Sequence, residues 1–165
     1  MPWRTLQMVS GFAGLALTFA LTFFLTPVVA IHFNLAGQPD GWASKWTNAA
    51  LFAGLFLFIN ILYGGLPWLL RKIPVAYINI PNREYWFAPE RKEESLARVG
   101  AFLSELAFFT NIFFIGIELI LFYANRMNKP APAIAFFSLL AGILVFIILW
   151  VVHLIRAFRL PKAGG

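Results

Sequence analysis

Long apolar runs separated by short polar segments dominate the chain. Four of these runs can cross a bilayer as a helix, which takes about 20 residues. We predict membrane-spanning helices over Leu6–Val29, Asn48–Leu70, Gly100–Tyr123 and Ala133–Ala157. Pro27 should end or kink the first helix, because proline lacks the backbone N–H that a helix needs. The pattern therefore predicts an all-α integral membrane bundle of four transmembrane helices, forming a single membrane domain over residues 1–165.

The first apolar run has a second interpretation as a cleavable signal peptide. Val28-Val29-Ala30 fits the small-residue pattern of a cleavage site. The apolar region of such a peptide usually has about 7–15 residues, and this run is longer. We therefore interpret it as a retained helix.

The composition supports a lipid environment. Of the 165 residues, 61% are hydrophobic and 12% are charged, whereas a soluble domain has about 45–50% apolar and about 25% charged residues. These values exclude a soluble enzyme, a disordered tail and a free nucleic-acid-binding module. The net charge of +6 is better explained by basic cytoplasmic loops than by a nucleic-acid partner.

The basic residues predict the orientation in the membrane. Ten of the 13 Lys and Arg residues fall on one side of the four spans, and three fall on the other. The first group is Arg4, Arg71, Lys72, Arg83, Arg91, Lys92, Arg98, Arg156, Arg159 and Lys162, and the second is Lys45, Arg126 and Lys129. Because cytoplasmic loops are enriched in Lys and Arg, we predict that both termini are cytoplasmic.

The connection over residues 71–99 is too short to form an independent domain. Its aromatic residues are Tyr77, Tyr85, Trp86 and Phe87. Since amphipathic rings favour the interface, we expect this cytoplasmic connection to lie along the headgroup layer. Pro89 suits a first helical position, so the third helix should begin there. Glu94 and Arg98 should form an i,i+4 ion pair.

Side chains for catalysis are scarce. The chain has no cysteine, two histidines and one aspartate, which excludes disulfides and thiolate metal sites. No nucleophile–base pair, metal triad or phosphate-binding loop is visible. We therefore predict a protein that is not an enzyme and has no cofactor and no metal.

The loop between the first two spans is rich in polar and turn-forming residues. Pro39-Asp40-Gly41 has the composition of a turn, and Trp42 suits the outer membrane interface. The polar side chains that gather in this loop are His32, Asn34, Asp40 and Lys45. Asp40 fits two roles, as a turn residue or as the ion-pair partner of Lys45. The loop as a whole is either a capped turn without a ligand or a recognition site.

The same loop resembles a known family signature. The residues are His32-Phe33-Asn34, Gly37, Pro39-Asp40-Gly41-Trp42 and Ser44-Lys45, preceded by Pro27. They resemble a bacterial membrane domain of unknown function, DUF family 1648, which forms the N-terminal part of SdpI-type immunity proteins. The resemblance covers residues 15–67 and implies an outer loop between two helices. Members of the SdpI branch protect a cell against a secreted peptide toxin, so it also implies a peptide partner.

The third span contains Glu105, Asn111 and Glu118. Ionisable residues within a membrane span are functional candidates because they are costly in lipid. Glu105 and Glu118 are separated by about 220° of helical rotation, so they cannot form a carboxylate pair, whereas Asn111 and Glu118 share a face. The two interpretations are packed polar contacts to another span, or a path for protons or ions.

Three functions are consistent with these features. The leading one is a membrane protein with an extracytoplasmic recognition loop, in an immunity or sensing role. The others are an accessory subunit of a membrane complex and a small carrier that uses the polar residues of the third span. Residues 50–54 and 138–142 each place a small residue four positions before a glycine, which allows close helix approach in the bundle or against a partner.

Overall fold

The computed structural model describes residues 2–161 as a helical bundle with one small β-hairpin. In chain order, the elements are α1 (Pro2–Thr22), β1 (Val28–Phe33), β2 (Pro39–Ser44), α2 (Lys45–Leu70), a 3₁₀ turn (Val75–Tyr77), α3 (Arg83–Trp86), α4 (Lys92–Met127) and α5 (Ala133–Ala157). In this part of the chain, α1, α2, α4 and α5 are long and apolar enough to cross a membrane. Lys162, one of the basic residues used for the orientation, lies outside the described residues.

The helix bounds follow the hydrophobic pattern to different degrees. The fourth predicted span coincides with α5. The second begins earlier, at Lys45, because the Ser44 hydroxyl accepts the backbone N–H of Thr47 and caps α2. The third predicted span, Gly100–Tyr123, lies within α4, which continues to Met127. The first was too long, since α1 ends at Thr22 rather than at Val29.

The residues after α1 form a hairpin that the all-α prediction did not contain. β1 pairs with β2 in antiparallel register, with Val29 opposite Ala43. Pro27 separates α1 from β1, and the β-branched and aromatic side chains of β1 are typical of a strand. The apolar run therefore continues past α1 as a strand.

The helices α1, α2 and α4 pack against one another, whereas α5 packs mainly against α4. The buried face of α1 consists of small and polar residues. Its large apolar side chains point outward, and Phe12, for example, is 71% exposed. The buried residues of α1 are Gln7, Ser10, Gly11, Gly14, Thr18 and Thr22. This arrangement suits a bundle in lipid, where small and polar residues stabilise helix contacts and apolar side chains face the tails.

Close helix approach occurs at glycines other than the predicted ones. A Cβ atom on Gly14 would lie 2.5 Å from the ring of Phe56, and one on Gly11 would lie 2.4 Å from the Asn60 amide. By contrast, Gly54 and Gly142 face open space within the described residues. Gly54 and Gly142 therefore provide no close helix approach among the described residues, and the contact made by residues 138–142 is that of Leu139 with Gly116 of α4.

The segment between α2 and α4 folds against the end of α5. Trp86 and Phe87 are buried together with Phe158, and the Trp86 indole N–H donates to the Phe158 carbonyl at 2.9 Å. Trp86 and Phe87 therefore pack inside the protein, and the position of this segment along the headgroup layer stays a prediction. We call this side of the bundle the cap end, and the opposite side, which bears β1 and β2, the hairpin end.

The start of the third helix also differs from the prediction. Pro89 lies in a turn, and α4 begins at Lys92 after Arg91 as its N-cap residue. The backbone N–H groups of both Arg91 and Lys92 donate to the Ala88 carbonyl, which delays the regular helix. The predicted Glu94–Arg98 ion pair is confirmed, at 3.0 Å.

Candidate functional site

Asn34 and Gly37 shape the turn of the hairpin. The Asn34 side-chain oxygen accepts the backbone N–H groups of Ala36 and Gln38 at 2.9 and 3.0 Å. Gly37 has a φ of +75°, which favours glycine. The turn had been predicted at Pro39-Asp40-Gly41, but these residues belong to β2. The turn role of Asp40 is therefore ruled out, and Asn34 fills it.

The hairpin is attached to the helices through its backbone. The Asn125 side chain on α4 accepts the Ala30 N–H at 2.7 Å and donates to the Ala30 carbonyl at 2.9 Å. The Ala131 N–H, just before α5, donates to the Gly37 carbonyl at 2.8 Å. The sequence analysis missed Asn125. Its position as a lone amide near the end of a predicted span was the available signal.

Several hairpin side chains remain free of the bundle. His32 Nδ1 contacts Asp40 Oδ1 across the strands, and both side chains are exposed. Leu35 at the turn is 87% exposed, and Trp42 is also exposed. A Cβ atom on Gly41 would lie 3.0 Å from the His32 Cβ, so Gly41 leaves room for the imidazole.

Lys45 does not pair with Asp40. Its ammonium group donates to the Leu25 carbonyl at 3.2 Å, which ties the start of α2 to the segment after α1. The same group lies 5.7 Å from the centre of the Trp46 ring. The predicted ion-pair partner of Asp40 is thus replaced by His32.

A groove of about 340 Å3 lies between the hairpin and the helices α4 and α5. Its walls are mostly apolar, with His32 and Asn34 on the hairpin side. The main apolar lining residues are Ile31, Phe33, Ile117, Ile120, Phe136 and Phe137. A concave, apolar surface with a few polar groups is typical of binding sites.

A first cluster of polar side chains lies inside the bundle toward the cap end. Asn111, which is fully buried, donates to the Ser10 hydroxyl at 3.0 Å and to the Gln7 carbonyl at 3.3 Å. The Asn60 amide donates to the Asn111 side-chain oxygen at 3.3 Å. These bonds connect α1, α2 and α4, so Asn111 serves as a polar contact between helices.

A second cluster lies closer to the hairpin end. Glu118 is buried, and its Oε2 atom has no hydrogen-bond partner among the described residues. Thr18, Thr22 and Asn48 line the same small space. The fully buried Phe56 ring packs on Gly14 between this level of the bundle and that of Asn111. The two clusters are therefore separate.

Glu105 belongs to neither cluster. It is partly exposed and lines an open cleft at the cap end together with Trp3, Arg98 and His153. The predicted angular separation from Glu118 explains this, since opposite sides of α4 face different surroundings. Within residues 2–161, no group of three His, Cys, Asp or Glu side chains is placed to hold a metal ion.

The family model for DUF1648, a domain of unknown function, matches residues 11–57. No curated protein and no solved structure matches the chain. The match is consistent with a DUF1648 membrane domain.

The DUF1648 segment covers most of α1, the whole hairpin and the first half of α2. It includes every residue of the predicted outer loop, as well as Thr18, Thr22 and Asn48 of the second cluster. Glu118 and Asn125, which contact this segment from α4, lie outside it. The groove and the second cluster are therefore formed where α4, joined by α5 at the groove, packs on the DUF1648 segment, whereas the first cluster lies outside this segment.

Proposed function

We propose that this chain is a non-enzymatic, multi-pass protein of the bacterial cytoplasmic membrane, whose hairpin recognises a partner outside the cell. The proposal rests on the way in which the hairpin is held. Bonds to its backbone, from Asn125 and Ala131, attach it to the helices. The side chains of His32, Asp40 and Trp42 are left exposed for contact.

The chemistry of the hairpin end favours a partner with an apolar segment. The groove beside the hairpin offers mostly apolar walls, and His32 with Asp40 adds a polar edge. An amphipathic peptide would match both parts, since apolar contact supplies affinity and the polar pair supplies orientation. A secreted peptide, as in the immunity role of SdpI-type proteins, fits this chemistry.

We expect Asp40→Asn to impair recognition while folding and membrane insertion are unchanged. The His32–Asp40 pair is exposed, so it contributes only about 0–1 kcal/mol to stability, and a large functional loss cannot come from unfolding. The measurement is photo-crosslinking in living cells from a benzoylphenylalanine at Leu35. The parent should form a discrete protein adduct that the Asp40→Asn variant forms weakly.

The control places the same crosslinker at Leu149, which is exposed on α5 far from the hairpin. Any adduct from that position should be insensitive to Asp40→Asn. If Leu35 gives no adduct, or if Asp40→Asn and His32→Ala both give the parent's adduct at full yield, the hairpin is only a connector and the recognition proposal fails.

The proposed orientation places both termini and the segment between α2 and α4 in the cytoplasm, following the excess of Lys and Arg on that side. Phosphatase fusions, which are active only outside the cytoplasm, should be active at Gly37 and inactive at Asn82. Green fluorescent protein fusions at Asn82 and Gly165 should be fluorescent. Gly165 lies outside the described residues. A phosphatase-inactive fusion at Gly37 would reverse the proposed orientation.

One observation favours an accessory subunit as the second candidate. No residue of α5 is buried within the described chain, and Gly142 faces open space. A helix exposed on this scale has room for a neighbouring membrane helix. Stoichiometric co-purification with another membrane protein through α5 would favour this role over recognition by the hairpin.

A further inference from the structure

Glu118 faces a small polar space enclosed by three helices. The residue is 4% exposed, and Oε2 has no hydrogen-bond partner among the described residues. The space measures about 10 Å3, close to the smallest that holds one water molecule. Thr18 and Thr22 from α1 and Asn48 from α2 line it opposite Glu118.

The two threonine hydroxyl groups in this space donate their hydrogens to backbone carbonyls of α1. Thr18 donates to the Gly14 carbonyl at 3.0 Å, and Thr22 donates to the Thr18 carbonyl at 2.7 Å. A hydroxyl has a single hydrogen, so both oxygens now offer only lone pairs. The Thr18 side chain and the Glu118 carboxyl line the same small space. Two acceptors that face each other need a hydrogen between them.

Asn125 supplies no such hydrogen. Its amide nitrogen donates to the carbonyls of Ala30 and Leu121, both at 2.9 Å, and these two bonds use both of its hydrogens. The Asn48 amide lines the space but bears no charge. Among the described side chains that line the space, the neutral Asn48 amide is therefore the remaining donor, and it brings no charge to balance a carboxylate.

No Lys, Arg or His is among the described residues that line the space. Besides the threonines, α1 contributes Leu21, α2 contributes only Asn48, and α4 contributes Leu121, Phe122 and Asn125. Leu25 closes the space toward the hairpin end, where its carbonyl holds the Lys45 ammonium group outside the lining. Among the described residues that line the space, Glu118 is the sole titratable group. A buried carboxylate without a counter-charge is strongly disfavoured.

We propose that Glu118 binds a proton in this space, so that the interface of α1, α2 and α4 contains a proton-binding site. The proton is held on the carboxyl and donated to the Thr18 oxygen. On the cap side, the Phe56 ring packed against Gly14 closes the bundle. The proton therefore exchanges from the hairpin end, past Leu25 and Asn125. This site is independent of recognition by the hairpin.

Infrared difference spectroscopy of the full chain in lipid vesicles tests the site. A protonated carboxyl group absorbs at higher frequency than a carboxylate, and an exposed glutamate is only about 1/500 protonated at pH 7. The spectrum of the parent minus that of Glu118→Gln should contain a protonated-carboxyl band at pH 7. The parent minus the matched control, Glu105→Gln, should lack this band.

Two further measurements make the test specific. Thr18→Val removes the acceptor, so the Glu118 band should move to higher frequency while its area stays the same. Dicyclohexylcarbodiimide, which reacts with protonated carboxyls in apolar surroundings, should label Glu118 at pH 7 at least tenfold more than Glu93, as measured by mass spectrometry of the parent. This second readout needs no variant.

The outcomes separate a proton from a metal cation. A band that persists when sodium replaces choline in the buffer supports the proposal. A band that sodium removes, together with protection from carbodiimide by sodium, overturns it in favour of a cation site. Absence of the band together with labelling no greater than that of Glu93 shows that Glu118 is ionised, and also overturns it.

Discussion

Gly14→Ala should lower the free energy of unfolding by about 1–3 kcal/mol, the usual effect of overpacking a close contact. The added Cβ would lie 2.5 Å from the ring of Phe56, which is fully buried, so the ring or the helix must shift. Chemical unfolding in mixed micelles measures this change.

Two other glycines provide matched controls. Gly54 and Gly142 also lie within helices but face open space. Gly54→Ala and Gly142→Ala should therefore be neutral or stabilising by up to about 1 kcal/mol, the helix propensity difference between the two residue types. If the Gly14→Ala variant is as stable as these controls, Gly14 of α1 and Phe56 of α2 are not in close contact.

A double variant connects the effect to Phe56. The atoms that a Cβ on Gly14 would meet are ring atoms of Phe56, which leucine lacks. Gly14→Ala should therefore cost less in a Phe56→Leu background than in the parent, with a coupling energy of about 0.5–3 kcal/mol. If the effects of the two substitutions are additive, the cost of Gly14→Ala does not come from contact with the Phe56 ring.

Asn125→Leu should release the hairpin from the bundle. The change leaves the N–H and the carbonyl of the buried Ala30 without their partners, and each unpaired group costs about 1–3 kcal/mol. Because the hairpin can open locally, we expect amide hydrogens of residues 28–44 to exchange about tenfold faster or more, while those of α5 are unchanged. Hydrogen exchange with mass spectrometry in nanodiscs measures both regions.

Two variants at this end of α4 test the mechanism. Asn125→Asp keeps an acceptor for the Ala30 N–H but loses the donor to its carbonyl, so exchange in the hairpin should also rise. Asn128→Gly is the control, since Asn128 has a φ of 51° that glycine adopts easily. Parent-like exchange in Asn125→Leu would mean that the contact with Ala131 alone holds the hairpin.

The transmembrane helices were predictable because lipid imposes a local rule. In lipid, a run of about 20 apolar residues forms a helix because a helix makes its backbone hydrogen bonds within the segment. This holds whatever the segment packs against. For this reason α5 coincides with the predicted Ala133–Ala157. The same rule failed at the end of α1, because the apolar residues of β1 continue the run and hydrophobicity does not distinguish a strand from a helix.

The hairpin shows where turn composition misleads. Pro39-Asp40-Gly41 and the segment Asn34–Gln38 both contain turn-forming residues, and only one of them can be the turn. The contact between Gly37 and Ala131, which lie far apart along the chain, favours the second. The turn over Asn34–Gln38 thus combines local bonds to the Asn34 side chain with a contact to the connection between α4 and α5, and local patterns contain only the first.

The sequence by itself determined the membrane class, the four spanning helices and the separation of Glu105 from Glu118 around α4, because these follow from hydropathy and helical periodicity. Tertiary structure decided which side of α4 is buried. The small and polar face of α1 docks on the side of Asn111 and Glu118, and leaves Glu105 in an open cleft. Tertiary structure also decided the role of Asn125, because its side chain bonds the Ala30 backbone only where β1 packs beside α4. Such contacts depend on packing between segments far apart in the chain, which no local pattern specifies.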